Sequence, residues 1–449
     1  MSELYDYKAY TARNFRSIPQ IRELPEFLKK EMEIVAMVLP FKSNSYVVNE
    51  LINWGNAPDD PIFRLTFPDR AMLSEHHFDR LKNALASHTE KNQLEAIVHE
   101  IRMELNPHPA GQLALNIPVS NGQRLEGIQH KYRETLLFFP SQGQTCHAYC
   151  TFCFRWPQFT GMEGMKMASA ESRQLADYLR NHTEVTNVLF TGGDPLVMKT
   201  SVLEKYISPI LGPGFEHIHT IRIGSKALAY WPYRFTAGQD ADDLLRLFEK
   251  VARSGKQLAL MAHFNHPVEL GTKAVKQAIK RIRSAGVEIR TQSPILRHIN
   301  DSAKIWARMW RHQARLGCIP YYMFMARDTG AKAYFNVTIE NAYEIYREAY
   351  SKVSGMSKTV RGPVMSASPG KVHILGISEI AGEKIFILQF IQGRNPEWVR
   401  RPFFAKFDTK ASWLTDLYPA FGEEKFFWQD NYEQLTRIKM HEALKQEDD

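Results

Sequence analysis

Cysteine is scarce in this 449-residue chain: there are four, and three of them are crowded together at Cys146, Cys150 and Cys153. So few thiols argue against a disulfide framework, which a chain long enough to bury a large core does not need, and they point to the reducing cytoplasm. Long apolar runs are also missing. None approaches the roughly 18 residues of a membrane span, and the polar opening stretch from Met1 to Tyr10 does not read as a signal peptide. Uninterrupted basic runs are lacking too, although the formal net charge is +8 and the pI near 9.1. The densest cluster, Lys276 to Arg283, has helical spacing and reads as a solvated helix face. With no stacking platform of aromatic and basic residues, a nucleic-acid partner is not expected. A cavity that holds anionic ligands accounts for the basic bias equally well.

What the chain does have is the loop Cys146-His-Ala-Tyr-Cys150-Thr-Phe-Cys153. A structural zinc site wants a closed set of four ligands. Here His147 stands too close to Cys146 to complete a tetrahedron comfortably, and Cys318 is far away in sequence. A cubane iron–sulfur cluster normally takes four thiolates, so three leave one iron open for another ligand. The C-x-x-x-C-x-x-C spacing, with Phe152 before the last cysteine, resembles the cluster loop of the radical S-adenosylmethionine enzymes. That resemblance implies a [4Fe-4S] cluster on Cys146, Cys150 and Cys153 with S-adenosyl-L-methionine on the open iron.

Periodicity divides the chain. Residues 1–128 read as a helical N-terminal region, with amphipathic patterns at Pro25–Leu39, Ser74–Leu85 and Leu94–Leu105. Residues 129–330 alternate short apolar runs with helical stretches. Strands are expected at Thr135–Phe139, Asn187–Phe190, His219–Ile223, Gln257–Ala262, Val287–Thr291 and Ile319–Met325, which argues for an α/β fold with a partial (β/α)6, TIM-like barrel. The loops after such strands share one rim, where chemistry collects. The cysteine loop follows the first strand, Thr191-Gly-Gly-Asp194 the second, Gly224-Ser-Lys226 the third, His263-Phe-Asn-His266 the fourth, and Gln292-Ser293 the fifth. Residues 331–449 form a mixed C-terminal extension with an aromatic-rich tail at Trp413–Trp428.

The order of these segments, with Asp59-Asp-Pro61, His130-Lys-Tyr132, Arg155, Ile221-Arg-Ile-Gly-Ser225, Pro320-Tyr-Tyr322 and Pro369-Gly-Lys371, resembles the lysine 2,3-aminomutase family, from about Asp59 to about Gly376. That family couples the radical cofactor to pyridoxal 5′-phosphate and moves an amino group between adjacent carbons. The resemblance implies that Gly192, Gly193 and Asp194 receive the amino group of S-adenosylmethionine, with Ser225, Gln292 and His263 beside that cofactor. It implies that Arg155 binds a substrate α-carboxylate, that Lys371 is the Schiff-base lysine, and that the segment Lys131, Tyr132 and Arg133 holds the cofactor phosphate. It further implies a small amino-acid substrate, an electron donor such as flavodoxin or ferredoxin, and a homo-oligomer.

Three departures qualify the match. Lysine-specific members carry two aspartates for the distal ammonium. Here one such position falls on Arg327, with Asp328 beside it, and the other falls in Ser366-Ala-Ser368, which has no carboxylate. A cationic substrate end would then meet a cation, so an acidic or neutral amino acid is expected in place of lysine. A second phosphate-binding arginine falls near Thr135. The family's zinc cysteines are missing, with Ser302 at one such position. A second reading follows, in which the enzyme has lost pyridoxal phosphate and performs another radical reaction on a carboxylate-bearing substrate.

Overall fold

The computed structural model describes residues 6–106, 115–120, 122–162, 168–170 and 172–444. The N-terminal region carries helices α1 (Glu26–Val38), α2 (Glu75–Ala86) and α3 (Lys91–Glu104). Ser74 caps α2 by accepting from the His77 N–H at 3.1 Å, a start signal readable in the sequence.

An eleven-stranded sheet follows: β1 (Ile128–Tyr132), β2 (Thr135–Phe138), β3 (Asn187–Phe190), β4 (Thr220–Ser225), β5 (Gln257–His263), β6 (Glu288–Ile295), β7 (Ile319–Met325), β8 (Arg361–Ser366), β9 (Gly370–Ile380), β10 (Glu383–Gly393) and β11 (Pro402–Lys406). Neighbours in the sheet are neighbours in sequence throughout. Strands β2 to β8 are parallel. β1 pairs antiparallel with β2, and β9 to β11 continue antiparallel from β8. Six helices make the parallel crossovers: α4 (Ser172–Asn181), α5 (Thr200–Ile207), α6 (Gln239–Arg253), α7 (Lys273–Ser284), α8 (Ala303–Arg315) and α9 (Ile339–Ser351). The chain closes with α10 (Gln429–Leu444).

The six expected strands are all present. Two further ones, β1 and β8, bracket them. β1 carries Gln129, His130 and Lys131 in place of an apolar run and has no strong strand pattern, whereas β8 falls within 358–372, a stretch that reads as extended in the sequence.

The sheet curls. Lys131 Nζ of β1 donates to the carbonyl of Ala367, just after β8, at 2.6 Å. Strands spaced ~4.8 Å apart would hold β1 and β8 about 34 Å from each other in a flat sheet. One face therefore turns outward under the helices and the other lines a concave interior. In β6 the alternation is strict: Ile289, Thr291, Ser293 and Ile295 are buried, and Glu288, Arg290, Gln292 and Pro294 are not. Thr291 Oγ1 donates to Gln313 Oε1 of α8 at 2.8 Å, which identifies the buried residues as the helix-covered face. Gln292 and Ser293 consequently lie inside β6, two residues short of its end, and not in a loop beyond it. The strand outruns its apolar signal because Gln292 faces the interior, where a polar side chain costs little.

Candidate functional site

The cysteine loop leaves β2 and is gripped by the N-terminal region. The Tyr149 N–H donates to the Lys42 carbonyl at 2.7 Å, and Lys42 Nζ donates to the Cys146 carbonyl at 2.7 Å. Tyr7 Oη and Asn44 Nδ2 both donate to the His147 carbonyl, at 2.7 and 3.1 Å. Cys146, Cys150 and Cys153 are free thiols. Burial raises the pKa of all three, that of Cys150 to about 12, and the neighbouring thiols raise Cys146 and Cys150 further. Three buried thiols whose ionisation is penalised in this way gain most from a polycation among them. Among the described residues no three His, Cys, Asp or Glu side chains stand ready to share one metal ion. A cubane does not ask for that, since each thiolate binds its own iron, and the three sulfurs fit such a cluster.

The segment after β3 packs directly on this loop. A Cβ on Gly193 would lie 2.6 Å from Thr145 N and 2.7 Å from its carbonyl carbon, and one on Gly192, whose φ is +146°, would meet Gln144 Nε2 at 2.5 Å. The glycines thus permit close approach to the cysteine loop. Asp194 continues the same contact: its N–H donates to the carbonyls of Gly143 and Thr145 at 3.0 and 2.7 Å. Its carboxylate accepts from Leu196 N at 3.0 Å, Ser225 Oγ at 2.7 Å and Lys226 N at 2.9 Å. Burial raises its pKa to about 6 against those hydrogen bonds. The carboxylate expected to meet the cofactor's ammonium thus already accepts from one hydroxyl and two backbone N–H groups, and it keeps acceptor capacity beyond these. Asp194 and Ser225 are bonded to each other and lock the ends of β3 and β4 under the loop. Gln144 Oε1, which the sequence did not single out, is a buried acceptor without a partner at this same junction.

His263 ends β5. Burial, reinforced by Lys226, keeps its pKa well below the usual value, and its ring meets Phe152 edge-on at 5.6 Å. It is a neutral imidazole under the cysteine loop. His266 instead caps a short helix through its side chain. Gln292 reaches into the interior with no side-chain hydrogen bond among the described residues.

A cationic cluster lies beyond. Arg155 is stacked over Phe139 at 4.2 Å and lies 5.4 Å from the ring of Phe154. Arg327 stacks on that same Phe154 ring at 4.4 Å. Burial lowers the Arg155 pKa to about 10, with the Cys153 sulfur opposing and Arg327 adding to the shift. Arg155 Nη1 is buried without an acceptor among the described residues. A guanidinium held in such a place is completed by an anion.

Lys371 sits in β9 opposite Ser366 of β8 and Gln392 of β10. Its Nζ donates to Gln392 Oε1 at 2.6 Å and faces the rings of Tyr132 and Tyr322 at 5.5 and 5.2 Å. Burial first, then Arg222, Arg361 and Arg327, lower its pKa to about 7. Lys131 is pushed well down by burial and by Arg394, Arg327 and Lys371. Tyr132 Oη beside them is buried with no hydrogen-bond partner among the described residues. Basic side chains grouped around a hydroxyl in this way fit a phosphate, whose charge would restore the protonated lysines. Arg133, which adjoins them in sequence, is exposed and outside the cluster. Arg394, which no sequence signal marked, approaches from the end of β10: it donates to the carbonyls of Ser368 and Leu115 at 2.9 and 3.2 Å and to Asn116 Oδ1 at 2.5 Å. Asp328 is half-buried next to Arg327, whose charge it supports.

The chain is 32% identical over 406 residues to the "Putative L-lysine 2,3-aminomutase" of Aquifex aeolicus, a match covering 90% of this chain and 95% of that protein. It is 31% identical over 230 residues to the L-lysine 2,3-aminomutase of Escherichia coli, covering 51% of this chain and 63% of that protein. It is 28% identical over 230 residues to the glutamate 2,3-aminomutase of Clostridioides difficile, covering 51% of each. The chain thus matches nearly the whole of the first relative and between half and two thirds of the other two. No family model matches. A radical SAM methyltransferase from Sphaerobacter thermophilus aligns with 52% of this chain and 68% of that one at a TM-score of 0.35 and 15% identity, too slight a likeness to carry an argument.

Proposed function

The chain belongs to the lysine 2,3-aminomutase family of radical S-adenosylmethionine enzymes, and from that premise we propose that it moves the amino group of an amino acid other than lysine between adjacent carbons. The observation that carries this reading is Lys371: a buried amine with a pKa of about 7, coupled through Arg327 to Arg155 at the foot of the cysteine loop. When bound, the cluster with S-adenosylmethionine supplies the radical that removes a substrate hydrogen, and pyridoxal phosphate supplies the conjugated ring that stabilises the migrating nitrogen.

The chain's own residues do the rest. Cys146, Cys150 and Cys153 hold the cluster inside a curled radical SAM barrel. Gln144, Gln292 and His263 line the rim for S-adenosylmethionine, and Asp194 with Ser225 keeps that rim in register. Arg155 orients the substrate α-carboxylate with its planar fork. Lys371, half unprotonated at neutral pH, is a nucleophile for the cofactor aldehyde. Lys131 and Tyr132 stand ready for the phosphate. Arg327 and Ser366 meet the far end of the substrate, with Asp328 beside them, so an acidic or hydrogen-bonding end fits better than an ammonium. The buried, deprotonatable Lys371 favours a retained pyridoxal phosphate over its loss.

The test is anaerobic reconstitution with iron, sulfide, S-adenosylmethionine and pyridoxal phosphate, then reduction in the presence of single amino acids. Formation of a β-amino acid from an acidic or neutral substrate supports the proposal. Accumulation of 5′-deoxyadenosine with no isomerised amino acid supports the second reading.

A further inference from the structure

We infer that Tyr230 tunes the cluster: its hydroxyl donates a hydrogen bond to the Cys150 sulfur when that sulfur binds iron, and so raises the cluster's reduction potential. This rests on the reading of Cys150 as a cluster ligand.

Tyr230 ends the one-turn helix Ala227–Tyr230 that follows β4, and it is 1% exposed. Its Oη lies 3.8 Å from Cys150 Sγ, and among the described residues the hydroxyl has no other hydrogen-bond partner. A buried phenol needs a partner, and a sulfur that has given up its proton to bind iron offers only an acceptor. The phenol O–H is then the donor in that pair. Donation toward the sulfur offsets negative charge, which is larger in the reduced cluster, so the reduced form gains more.

The ring is held for this task. Lys226 Nζ stands 4.3 Å from the Tyr230 ring centroid, where a cation draws electron density from the ring and strengthens the hydroxyl as a donor. The ammonium is itself fixed by Glu269 Oε1 at 2.7 Å and Asn265 Oδ1 at 2.8 Å. Glu269 is fully buried, and its second oxygen accepts from the N–H groups of Asn265 and His266 at 2.5 and 2.9 Å. On the other side, Asn44 Nδ2 donates to the carbonyls of both Tyr230 and His147, at 3.0 and 3.1 Å, tying the tyrosine to the cysteine loop. Nothing in simple core packing calls for a charged network of this kind around one ring.

The experiment is a redox titration of the reconstituted full-length protein without substrate, following the spectrum of the reduced cluster. Tyr230→Phe is expected to lower the midpoint potential at unchanged iron content, and 3-fluorotyrosine at position 230, a stronger donor, to raise it. Potentials unchanged in both proteins would overturn the inference. So would a Phe variant that loses its iron while the fluorotyrosine protein keeps the wild-type potential. A wild-type protein that takes up no four-iron cluster would instead fail the underlying reading of the site, and the inference with it.

Discussion

Arg327 Nη2 donates to Ser366 Oγ at 3.3 Å, so the two segments proposed to meet the far end of the substrate stand side by side although 39 residues separate these side chains in sequence. Lysine-specific members of the family are expected to carry a carboxylate at each. Here the pair presents a guanidinium and a hydroxyl. Replacing both, Arg327→Asp with Ser366→Asp, is expected to move preference toward lysine and away from acidic substrates by at least about tenfold, or ~1.4 kcal/mol. Competition between lysine and an acidic amino acid in one reaction reads the ratio directly, and an unchanged ratio counts against this assignment.

Arg155 predicts opposite effects on stability and on binding. Its guanidinium is buried with an unused donor, which costs the empty protein free energy. Arg155→Met should leave the denaturation midpoint of the empty protein unchanged or raised, while weakening substrate by about 2–4 kcal/mol, the scale for losing one partner of a buried charge pair. Arg155→Lys keeps the charge but loses the fork and should recover only part of that affinity. A large loss of stability in the methionine variant would show a structural role.

The junction beneath the cysteine loop makes a prediction about cluster loading. Asp194→Ala strands the donors of Leu196, Lys226 and Ser225, each at about 1–3 kcal/mol, and should destabilise the protein by several kcal/mol in urea titrations. Gly193→Ala drives a methyl group into Thr145 and should reduce bound iron per chain. Wild-type iron content in the alanine variant would mean that this packing does not hold the loop.

How far the sequence revealed these relationships depends on the kind of signal. The parallel strands were legible because Asn187–Phe190 and Ile319–Met325 are short apolar runs between amphipathic helices, and those two are found with the bounds expected of them. The cysteines were legible because three rare residues share one loop. Asp194 was located by its place after a strand, but spacing alone does not show that Ser225 and two N–H groups also donate to it. Arg394, Tyr230 and Gln392 carried no local signal. Their importance arises only when the sheet curls and brings β10 and the turn after β4 against residues far away in sequence.

The lowered pKa of Lys371 gives a pH dependence with a definite sign. Burial and the arginines Arg222, Arg361 and Arg327 favour the neutral amine, so the charged form is penalised in the folded state below a pH of about 7. Stability should rise with pH as the proton leaves, from about 7 up toward the ordinary lysine value near 10.4. The rate of pyridoxal phosphate capture should rise about tenfold between roughly pH 6 and pH 8 and then level off, as expected for a free-amine fraction with its midpoint near 7. An exposed lysine would instead rise about a hundredfold across the same interval with no plateau. Absorbance of the bound cofactor, followed by stopped flow, separates the two.

The central claim is that Lys371 carries a second cofactor beside a radical source. It is tested most directly by loading the protein with pyridoxal phosphate, reducing with borohydride and mapping the modified peptide by mass spectrometry. The account predicts one phosphopyridoxyl group per chain, on Lys371, and none after Lys371→Ala. Labelling spread over surface lysines, or no label at all in protein that holds its cluster, would contradict it.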